Sequence, residues 1–363
     1  MILEKCVRLF TKLSRPRATR SLVKWCFASC YDFLVAIYSI NLKRKIDHVF
    51  GPEGIVFDQE KVVVCCLVKD GEEYLESFLD HYLSTLQADH VVLVDNGSRD
   101  RTAEIARKYS RVSLYRTTLD FRIYKNVIRR FMVENFSNGG WVLAVDIDEF
   151  FDFPHSDRIS LHGLIGYLNA NAYTAATAYL LDMIPNDGKL FSANPGREFH
   201  PSDFALYDVS FVKTENYDDY VTMVNNRVSN TAIESRSGGV RREIFGIAPK
   251  LLKHPLVFYD KKIKTFYGSH GIGNAHVADV SSVLYHYKFT PRFPEKIDAA
   301  IRARSYYQDS SEYRAYKEKQ GSLDHGGPLS RGMSRLASID DLLQNGFLQV
   351  TSAYEDWVAL RAK

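Results

Sequence analysis

Residues 141 to 151 read Trp-Val-Leu-Ala-Val-Asp-Ile-Asp-Glu-Phe-Phe, and this stretch decides the fold of the chain. Its apolar first half, residues 141–145, follows the turn signal Asn-Gly-Gly at residues 138–140. A short apolar run bounded by a turn is typical of a strand that is buried on both faces. The run ends in Asp146, Asp148 and Glu149. Because carboxylates are costly to bury unless positive charge neutralises them, we expect a polar site at the end of this strand.

Asp146 and Asp148 lie two residues apart, so both side chains point to the same side of an extended backbone. In an open α/β sheet, ligands bind at the carboxyl ends of the strands. Two carboxylates in this position, together with a diphosphate, suit a hard cation such as Mg²⁺ or Mn²⁺, which takes oxygen ligands. The alternative is that these carboxylates cap the following turn or helix. Their spacing alone leaves both interpretations open.

The composition excludes some classes of protein. The chain has 363 residues with a net charge of +3, which is too small to imply a nucleic-acid partner, and no nucleic-acid-binding motif is visible. Its five cysteines all lie within the first 66 residues, so they do not form a disulfide framework, and a reducing compartment is expected. Cys65 and Cys66 lie in an apolar run and are expected to be core residues.

Residues 1–50 are basic at first and then largely apolar. Apolar residues recur at helical spacing in residues 2–13, which predicts a basic amphipathic helix. Residues 22–40 are a poor match to a membrane-spanning helix because Lys24 and Asp32 interrupt them. Two interpretations remain open: peripheral contact of residues 1–40 with an anionic membrane surface, or a helical pair packed on the main domain.

From residue 61 the chain alternates between strand and helix patterns, which predicts an α/β fold with a mainly parallel sheet and right-handed crossovers. The predicted strands are 62–68, 91–94, 112–116, 141–145, 173–181, 256–259 and 283–289. The predicted helices are 74–86, 102–109, 124–136, 294–320, 340–346 and 352–360. Residues 186–236 lack a periodic pattern and are expected to be irregular.

The order of several motifs resembles the family 2-like glycosyltransferases with a GT-A fold. The motifs are Val68-Lys69-Asp70-Gly71-Glu72-Glu73, Val94-Asp95-Asn96-Gly97-Ser98-Arg99-Asp100, and Val145-Asp146-Ile147-Asp148-Glu149-Phe150. Later segments agree, among them Leu181-Asp182-Met183-Ile184-Pro185, Gly239-Val240-Arg241-Arg242 and Leu284-Tyr285-His286-Tyr287-Lys288-Phe289. Within that family the chain is most similar to a bacterial branch with Asp-x-Asp-Glu-Phe. The resemblance covers roughly residues 60 to 355 and rests on the order and spacing of the motifs together.

The resemblance implies a Rossmann-like, mainly parallel sheet flanked by helices, with helical N- and C-terminal extensions. The implied divisions are an N-terminal segment 1–58, a glycosyltransferase domain 59–292 and a C-terminal extension 293–363. Within the domain, residues 59–150 would hold the nucleotide sugar and residues 151–292 the acceptor. The implied reaction moves a sugar from a nucleotide sugar, most commonly a UDP-sugar among relatives, to a hydroxyl group with inversion and with Mn²⁺ or Mg²⁺. The acceptor would be a glycan or a lipid-linked molecule, and the enzyme would lie in the cytoplasm or peripherally on the inner face of the plasma membrane.

The resemblance also assigns residues to the site. Asp146, Asp148 and His286 would bind the metal, and Arg241 and Arg242 would face the acceptor, although either arginine could instead pair with an acidic side chain. The donor-binding set would comprise Lys69, Asp70, Asp95, Asn96, Asp100, Asn126, Asp146, Ile147 and Asp148. Lys69, Arg129 or Arg130 could add positive charge, but solvated helix faces are the expected location of both arginines.

Two departures from the family pattern concern the donor contact and the catalytic base. Relatives usually have Lys-Asn-Glu after the first strand, whereas this chain has Lys69-Asp70-Gly71, so the donor contact that the family pattern ascribes to the glutamate is not expected here. The acidic pair that relatives carry downstream is missing, so His270 is a candidate base because imidazole titrates near neutral pH. Asp182, at the end of its own predicted strand, is the competing candidate.

Two other functions remain open from the sequence. A nucleotidyltransferase would share the nucleotide-binding sheet and the acid-bound metal, although such enzymes usually carry a glycine-rich loop with a basic residue after the first strand. A carbohydrate-binding or scaffold protein could keep the fold without the chemistry. The products released from nucleotide sugars, with and without Mn²⁺, separate all three.

Overall fold

The apolar runs of the sequence become strands of one large sheet. The computed structural model describes residues 9, 20–40, 42–55, 58–136, 139–191, 196–220, 222–266, 270–303, 307–323 and 332–361. The strands of this sheet are β1 (Asp47–Phe50), β2 (Val62–Val68), β3 (His90–Asp95), β4 (Val112–Arg116), β5 (Trp141–Ala144), β6 (Glu149–Asp152), β7 (Ala175–Asp182), β11 (Arg227–Val228), β13 (Leu252–Phe258) and β16 (His276–His286). Short strands elsewhere are β8 (Leu206–Tyr207), β9 (Val212–Glu215), β10 (Met223–Val224), β12 (Ser235–Gly238), β14 (Lys264–Phe266), β15 (Gly271–Gly273) and β17 (Ser334–Arg335).

Helices cover the sheet, and further helices precede its first strand and follow its last strand in the chain. They are α1 (Arg20–Ser39), α2 (Glu72–Asp80), α3 (Thr102–Ala106), α4 (Phe121–Asn135), α5 (Leu161–Ala170), α6 (Val240–Phe245), α7 (Phe293–Ala303), α8 (Tyr307–Leu323), α9 (Asp340–Gln344) and α10 (Ser352–Ala359). The expected single helix 294–320 is therefore two helices. The amphipathic helix expected over residues 2–13 lies outside the described part of the chain apart from Leu9.

The strand order is β1-β4-β3-β2-β5-β13-β7-β16-β11, and β6 pairs with β16. Strands β4, β3, β2 and β5 are mutually parallel, as are β7 and β16. Strand β13 runs antiparallel between β5 and β7, so β7 and β16 have the same direction as β5. The carboxyl ends of β2, β3, β5, β7 and β16 therefore share one edge of the sheet. This edge brings together the ends of strands from both expected halves of the domain.

Two strands begin earlier than their apolar patterns indicate. Strand β16 begins at His276 because the buried polar residues at its start have partners: Asp279 accepts from the Tyr167 hydroxyl at 3.0 Å, and the Ser281 amide donates to the Gln349 carbonyl at 2.9 Å. Strand β13 contains Pro255, and its register with β7 shifts between Lys253 and Leu256. Proline has no amide hydrogen to donate to a neighbouring strand, so it interrupts the hydrogen bonding of the sheet. This explains why the sequence predicts only the second half of β13 as a strand.

The core is apolar on both sides of the sheet. Strands β2 and β3 are buried along their whole length, as expected for strands covered by helices on both faces. Cys65 and Cys66 lie in this core, which confirms their prediction. A second, smaller apolar cluster joins α7 and α8 to the loops that follow β7 and β16, and includes Phe289, Phe293 and Tyr316. The C-terminal extension is thus packed beside the edge where the strands end.

Candidate functional site

Asp148, His286 and Asp182 form a connected chain at the carboxyl edge of the sheet. Asp182 ends β7 and His286 ends β16, and the two residues are register partners. The His286 Nδ1 atom lies 2.6 Å from Asp182 Oδ1, and its Nε2 atom lies 3.6 Å from Asp148 Oδ2. Because Asp182 holds one ring nitrogen, the other faces Asp148. A carboxylate behind a histidine in this way fixes its tautomer and orientation, as behind metal-binding histidines.

The charges of this chain stabilise one another. Burial alone would lower the pKa of His286, but the carboxylates of Asp148 and Asp182 outweigh it and raise that pKa above its usual value. Burial works to raise the pKa of Asp148, but His286 holds it at about 2. Asp182 is buried and also accepts from Arg241 Nε at 2.7 Å, so its pKa lies well below its usual value despite burial. Asp148 is the accessible end of the chain, with its side chain 28% exposed.

Asp146 is surrounded by cations of the protein. Its carboxylate accepts from Arg129 of α4 and lies 3.3 Å from Lys253 Nζ of β13. Lys253 Nζ also lies 2.5 Å from Glu149 Oε1, and both of these side chains are 3% exposed. Burial alone would raise the pKa of Asp146, but Arg129 and Lys253 hold it well below its usual value. In this arrangement the charge of Asp146 is already compensated by two basic side chains.

A divalent cation fits this edge at Asp148 and His286. They offer one carboxylate and one imidazole nitrogen, and Asp182 already supports the imidazole from behind. Among the residues that the structure describes, no group of three or more His, Cys, Asp or Glu side chains could by itself hold a metal. Mg²⁺ and similar ions are commonly bound through one or two carboxylates plus substrate phosphates, so a two-donor site is sufficient for an ion shared with a diphosphate. Asp146 as a third ligand stays a prediction.

The residues predicted to hold the nucleotide line the turns after β2 and β3. Asp95 is fully buried; it accepts from the Ser98 amide at 2.7 Å and pairs with Arg116 at 3.1 Å. Asn96 donates to the Leu119 carbonyl, and the Asp100 carboxylate accepts from the Glu72 amide. All three therefore have partners within the protein, and their predicted contacts with a nucleotide remain untested.

The other predicted donor residues have different surroundings. Asp70 has a positive φ of 50° and accepts from the Arg99 amide at 2.8 Å. Lys69 is exposed beside it, Asn126 is buried on α4, and Ile147 packs against the core. These residues remain predictions as donor contacts.

The departure at Gly71 has a steric cause. The Gly71 amide donates to the Thr102 hydroxyl at 2.9 Å, which holds the start of α2 against the start of α3. A Cβ atom at this position would lie 2.5 Å from Val68 Cγ2, closer than side chains can approach. Any residue with a Cβ atom at position 71 therefore requires the Val68 side chain or the backbone to shift.

Arg241 and Arg242 do not act as a pair. Arg241 is buried and bound to Asp182 and, at 3.1 Å, to Glu312 of α8, whereas Arg242 is exposed on α6. The alternative in which one arginine pairs with acidic side chains is therefore confirmed for Arg241. The solvated location expected for Arg129 and Arg130 is wrong, because Arg129 binds Asp146 and Arg130 pairs with Asp32 and Glu134 at 2.7 Å.

The two candidate bases differ in their surroundings. Asp182 has both carboxylate oxygens occupied, one by Arg241 and one by His286, so it is a poor proton acceptor in this geometry. His270 lines a cavity of about 30 Å³ between α4 and the sheet, together with Asp146 and Lys253. The His270 Nδ1 atom is buried without a hydrogen-bond partner among the described residues. That cavity has room for about one water molecule, not for a sugar.

Two residues of the site, Lys253 and Glu312, are not predicted from the sequence. Lys253 lies between Leu252 and the apolar residues 256–258 of β13, and a lysine inside a buried strand is rare enough to signal a buried ion pair. Glu312 gave no such signal because helix α8 is polar and aromatic along most of its length. Only the fold brings Glu312 to Arg241.

The family model described as Glycosyl transferase family 2 matches residues 61–156, which contain β2 to β6. A comparison with curated protein sequences finds no match.

Three solved structures illustrate the structural similarity. S. aureus TarS 1-349 in complex with UDP is 19% identical, with 39% of this chain and 38% of that chain covered and a TM-score of 0.27. A second structure of S. aureus TarS 1-349 is 14% identical over 82% of this chain and 80% of that chain, with a TM-score of 0.31. The mannosyltransferase PcManGT from Pyrobaculum calidifontis, in complex with GDP-Man and Mn²⁺, is 16% identical over 48% of this chain and 47% of that chain, with a TM-score of 0.25. The first alignment thus spans well under half of the solved TarS chain. The family model matches 96 of the 363 residues, so residues 61–156 are the part of the chain that is similar to the family 2 glycosyltransferases.

Proposed function

We propose that this chain is a glycosyltransferase that moves a sugar from a nucleotide-sugar donor to an acceptor hydroxyl with inversion, using a divalent cation held by Asp148 and His286. The observation that carries the proposal is the chain from Asp148 through His286 to Asp182, at the edge where the strands of the family 2 domain end. The first donor to test is a UDP-sugar, which the sequence resemblance implies. The acceptor class that it implies is a glycan or a lipid-linked molecule.

Each residue of the chain has a distinct part in the proposed reaction. When bound, the cation supplies positive charge that stabilises the leaving diphosphate. Asp148 and His286 hold that end of the donor, and Asp182 keeps the His286 ring oriented. Arg129 and Lys253 hold Asp146 beside the same strand end. His270 is the proposed proton acceptor, because its Nδ1 atom has no partner among the described residues while Asp182 is occupied on both oxygens; it would take the proton through a water molecule in the cavity that it lines.

The test is release of nucleoside diphosphate from a panel of nucleotide sugars, with and without Mn²⁺. We expect Mn²⁺-dependent release that Asp148→Asn abolishes. The matched control is Asp356→Asn, which changes an exposed carboxylate on α10 away from the strand ends. Release of inorganic diphosphate from a nucleoside triphosphate and a sugar 1-phosphate, without turnover of the nucleotide sugars, would identify a nucleotidyltransferase, and absence of turnover with every substrate would support a binding protein. Metal-independent turnover in wild type and Asp148→Asn alike would reject the metal assignment.

The proton acceptor is tested separately. We expect His270→Ala to lower kcat strongly, whereas Asp182→Asn should mainly weaken metal binding. Full activity of His270→Ala would remove it as the base.

We also propose that helix α1 rests on an anionic membrane surface at the inner face of the plasma membrane. Among the described residues, one helix, Ser21–Ser39, is long and apolar enough to cross a membrane by length and composition alone. One face of this helix is packed on the domain through Phe27, Tyr31 and Val35. Lys24 and Asp32 bind the domain as well, since Lys24 donates to the Asp218 carbonyl at 2.7 Å and Asp32 pairs with Arg130. These contacts support a helix lying along the domain.

The outward face of α1 carries large apolar side chains at helical spacing. The exposed fractions are Leu22 64%, Trp25 62%, Phe33 66%, Ile37 46% and, just beyond the helix, Ile40 67%. Exposed Lys43, Arg44 and Lys45 follow, and basic residues beside an apolar helix face favour anionic lipid headgroups.

Vesicle flotation tests this placement. Phe33→Asp should lower binding to phosphatidylglycerol vesicles by at least about tenfold, since a charge enters the apolar face. Leu360→Asp is the matched control because Leu360 is 82% exposed just after α10. Equal binding of Phe33→Asp and wild type would reject the membrane contact.

A further inference from the structure

Helix α8 of the C-terminal extension places a carboxylate behind the candidate site. Glu312 Oε1 lies 3.1 Å from Arg241 Nη1, and Arg241 Nε lies 2.7 Å from Asp182 Oδ2. Asp182 Oδ1 in turn lies 2.6 Å from His286 Nδ1. The charges alternate in sign along this path from Glu312 to His286, so each group is attracted to the next.

We propose that Glu312 is a positioning residue that acts through Arg241 and Asp182 to orient His286, so that the C-terminal extension completes the site. This inference rests on the proposed function for its catalytic consequence. The positioning itself is a property of the protein alone.

The two carboxylate oxygens of Asp182 connect Arg241 to His286. One oxygen binds Arg241 and the other binds His286, so the orientation of the carboxylate is fixed from the side of Arg241. Arg241 is 4% exposed, and a buried guanidinium keeps its charge and must stay paired. Without the charge of Glu312, Arg241 keeps only one anionic partner, and its guanidinium is held less firmly against Asp182. The Asp182 carboxylate then holds the His286 ring in one orientation less firmly.

The position of Glu312 does not depend on these charges alone. On the same helix, Tyr316 is fully buried against Phe245 and Phe293, with ring centroids 4.7 and 5.2 Å away. Glu312 is also held by Lys288, whose Nζ lies 3.4 Å from it. Its own side chain is 31% exposed. Because apolar packing holds α8 in place, replacing the carboxylate by an amide should leave the fold intact.

The test compares Glu312→Gln with Glu318→Gln, which removes an exposed carboxylate from the same helix. The first readout is the ¹⁵N shifts of the two His286 ring nitrogens in the metal-free protein, assigned by their loss in His286→Gln. We expect Glu312→Gln to shift them and Glu318→Gln to leave them unchanged. The second readout is the dissociation constant of Mn²⁺ in the presence of UDP, which should rise about tenfold or more in Glu312→Gln, the size usual for residues behind a metal ligand. Restoration of both readouts in Glu312→Asp would support the role of the charge.

The outcomes separate this inference from the proposed function. Unchanged His286 shifts in Glu312→Gln, with circular dichroism showing a folded protein, overturn the positioning role. Wild-type protein that neither binds Mn²⁺ nor releases nucleotide overturns the proposed function, and the ring-nitrogen shifts still decide the role of Glu312.

Discussion

Replacing Lys253 by methionine is the sharpest test of the charge arrangement at the strand ends. Lys253 and Glu149 are each 3% exposed and lie 2.5 Å apart, with Asp146 at 3.3 Å from the same amine. Burial works to lower the pKa of Lys253, but the two carboxylates outweigh it and raise that pKa. Removing one partner of a buried ion pair typically costs about 3–5 kcal/mol, because the other charge stays buried without compensation. Asp146 keeps Arg129, so the cost falls on Glu149.

The sign of the pH dependence follows from the same contact. Without Lys253, the pKa of Glu149 rises further above its unfolded value, since burial and Asp146 already raise it. A carboxyl group whose pKa is raised in the folded state destabilises the protein at pH values above its pKa in the unfolded state. At lower pH the group is protonated in both states, and this destabilisation disappears. The loss in Lys253→Met should therefore be largest near pH 8 and shrink as the pH falls toward about 4.5.

Urea unfolding followed by tryptophan fluorescence measures this loss, since Trp141 is fully buried in the neighbouring strand. The second variant is Glu149→Gln with Lys253→Met, which removes both charges and should recover at least about 2 kcal/mol of the loss. The control Lys108→Met changes an exposed lysine and should stay within about 0.5 kcal/mol of wild type. Equal stability of Lys253→Met and the control, or a double variant no more stable than the single one, would refute the buried pair.

Three further outcomes follow from particular contacts. Gly71→Ala should lose about 1–3 kcal/mol because its Cβ would lie 2.5 Å from Val68 Cγ2, whereas Gly54→Ala, with open space around it, should lose much less; equal urea midpoints would contradict the close approach. Burial, aided by Arg111, lowers the pKa of His90 to about 4. Wild type should therefore lose up to about 3 kcal/mol as the pH falls from 6.5 to 4, whereas His90→Gln should lose less over that range; identical slopes in urea titrations would argue against a neutral buried histidine. Isothermal titration should show weaker Mn²⁺ binding for Asp182→Asn than for Asp356→Asn, and equal affinities would exclude Asp182 as the support of His286.

The sequence predicts best those strands and helices whose formation depends on neighbouring residues in the chain. The runs 62–68 and 112–116 are strands with the expected bounds, because continuous apolar residues between turns leave few alternatives. Prediction fails where a buried polar residue is satisfied by a distant part of the chain. Asp279 is paired with Tyr167, and Lys253 with Glu149, across more than a hundred residues in each case. A hydropathy pattern does not contain such pairings, so it predicts too short a strand at β16 and leaves Lys253 out of the site.

The same limitation applies to the charges of the site. Arg129 looked like a surface residue on an amphipathic helix, and only the docking of α4 on the sheet shows that it faces Asp146. Asp182 looked like a free carboxylate at a strand end, but Arg241 reaches it from α6 and His286 from β16. Acidic motifs in a sequence therefore indicate where a site lies more reliably than what each carboxylate does in it.

The three carboxylates of the opening stretch are distinguished by the cations that reach them. Lys253 contacts both Asp146 and Glu149, and Arg129 also binds Asp146. Asp148 is paired with His286 at 3.6 Å, a longer contact to a weaker and titratable cation. An incoming divalent cation can displace the proton of His286 and use its nitrogen, but it would have to compete with two permanent charges for Asp146. We therefore expect a cation to bind at Asp148 and His286 before it reaches Asp146, whose charge is balanced by Arg129 and Lys253.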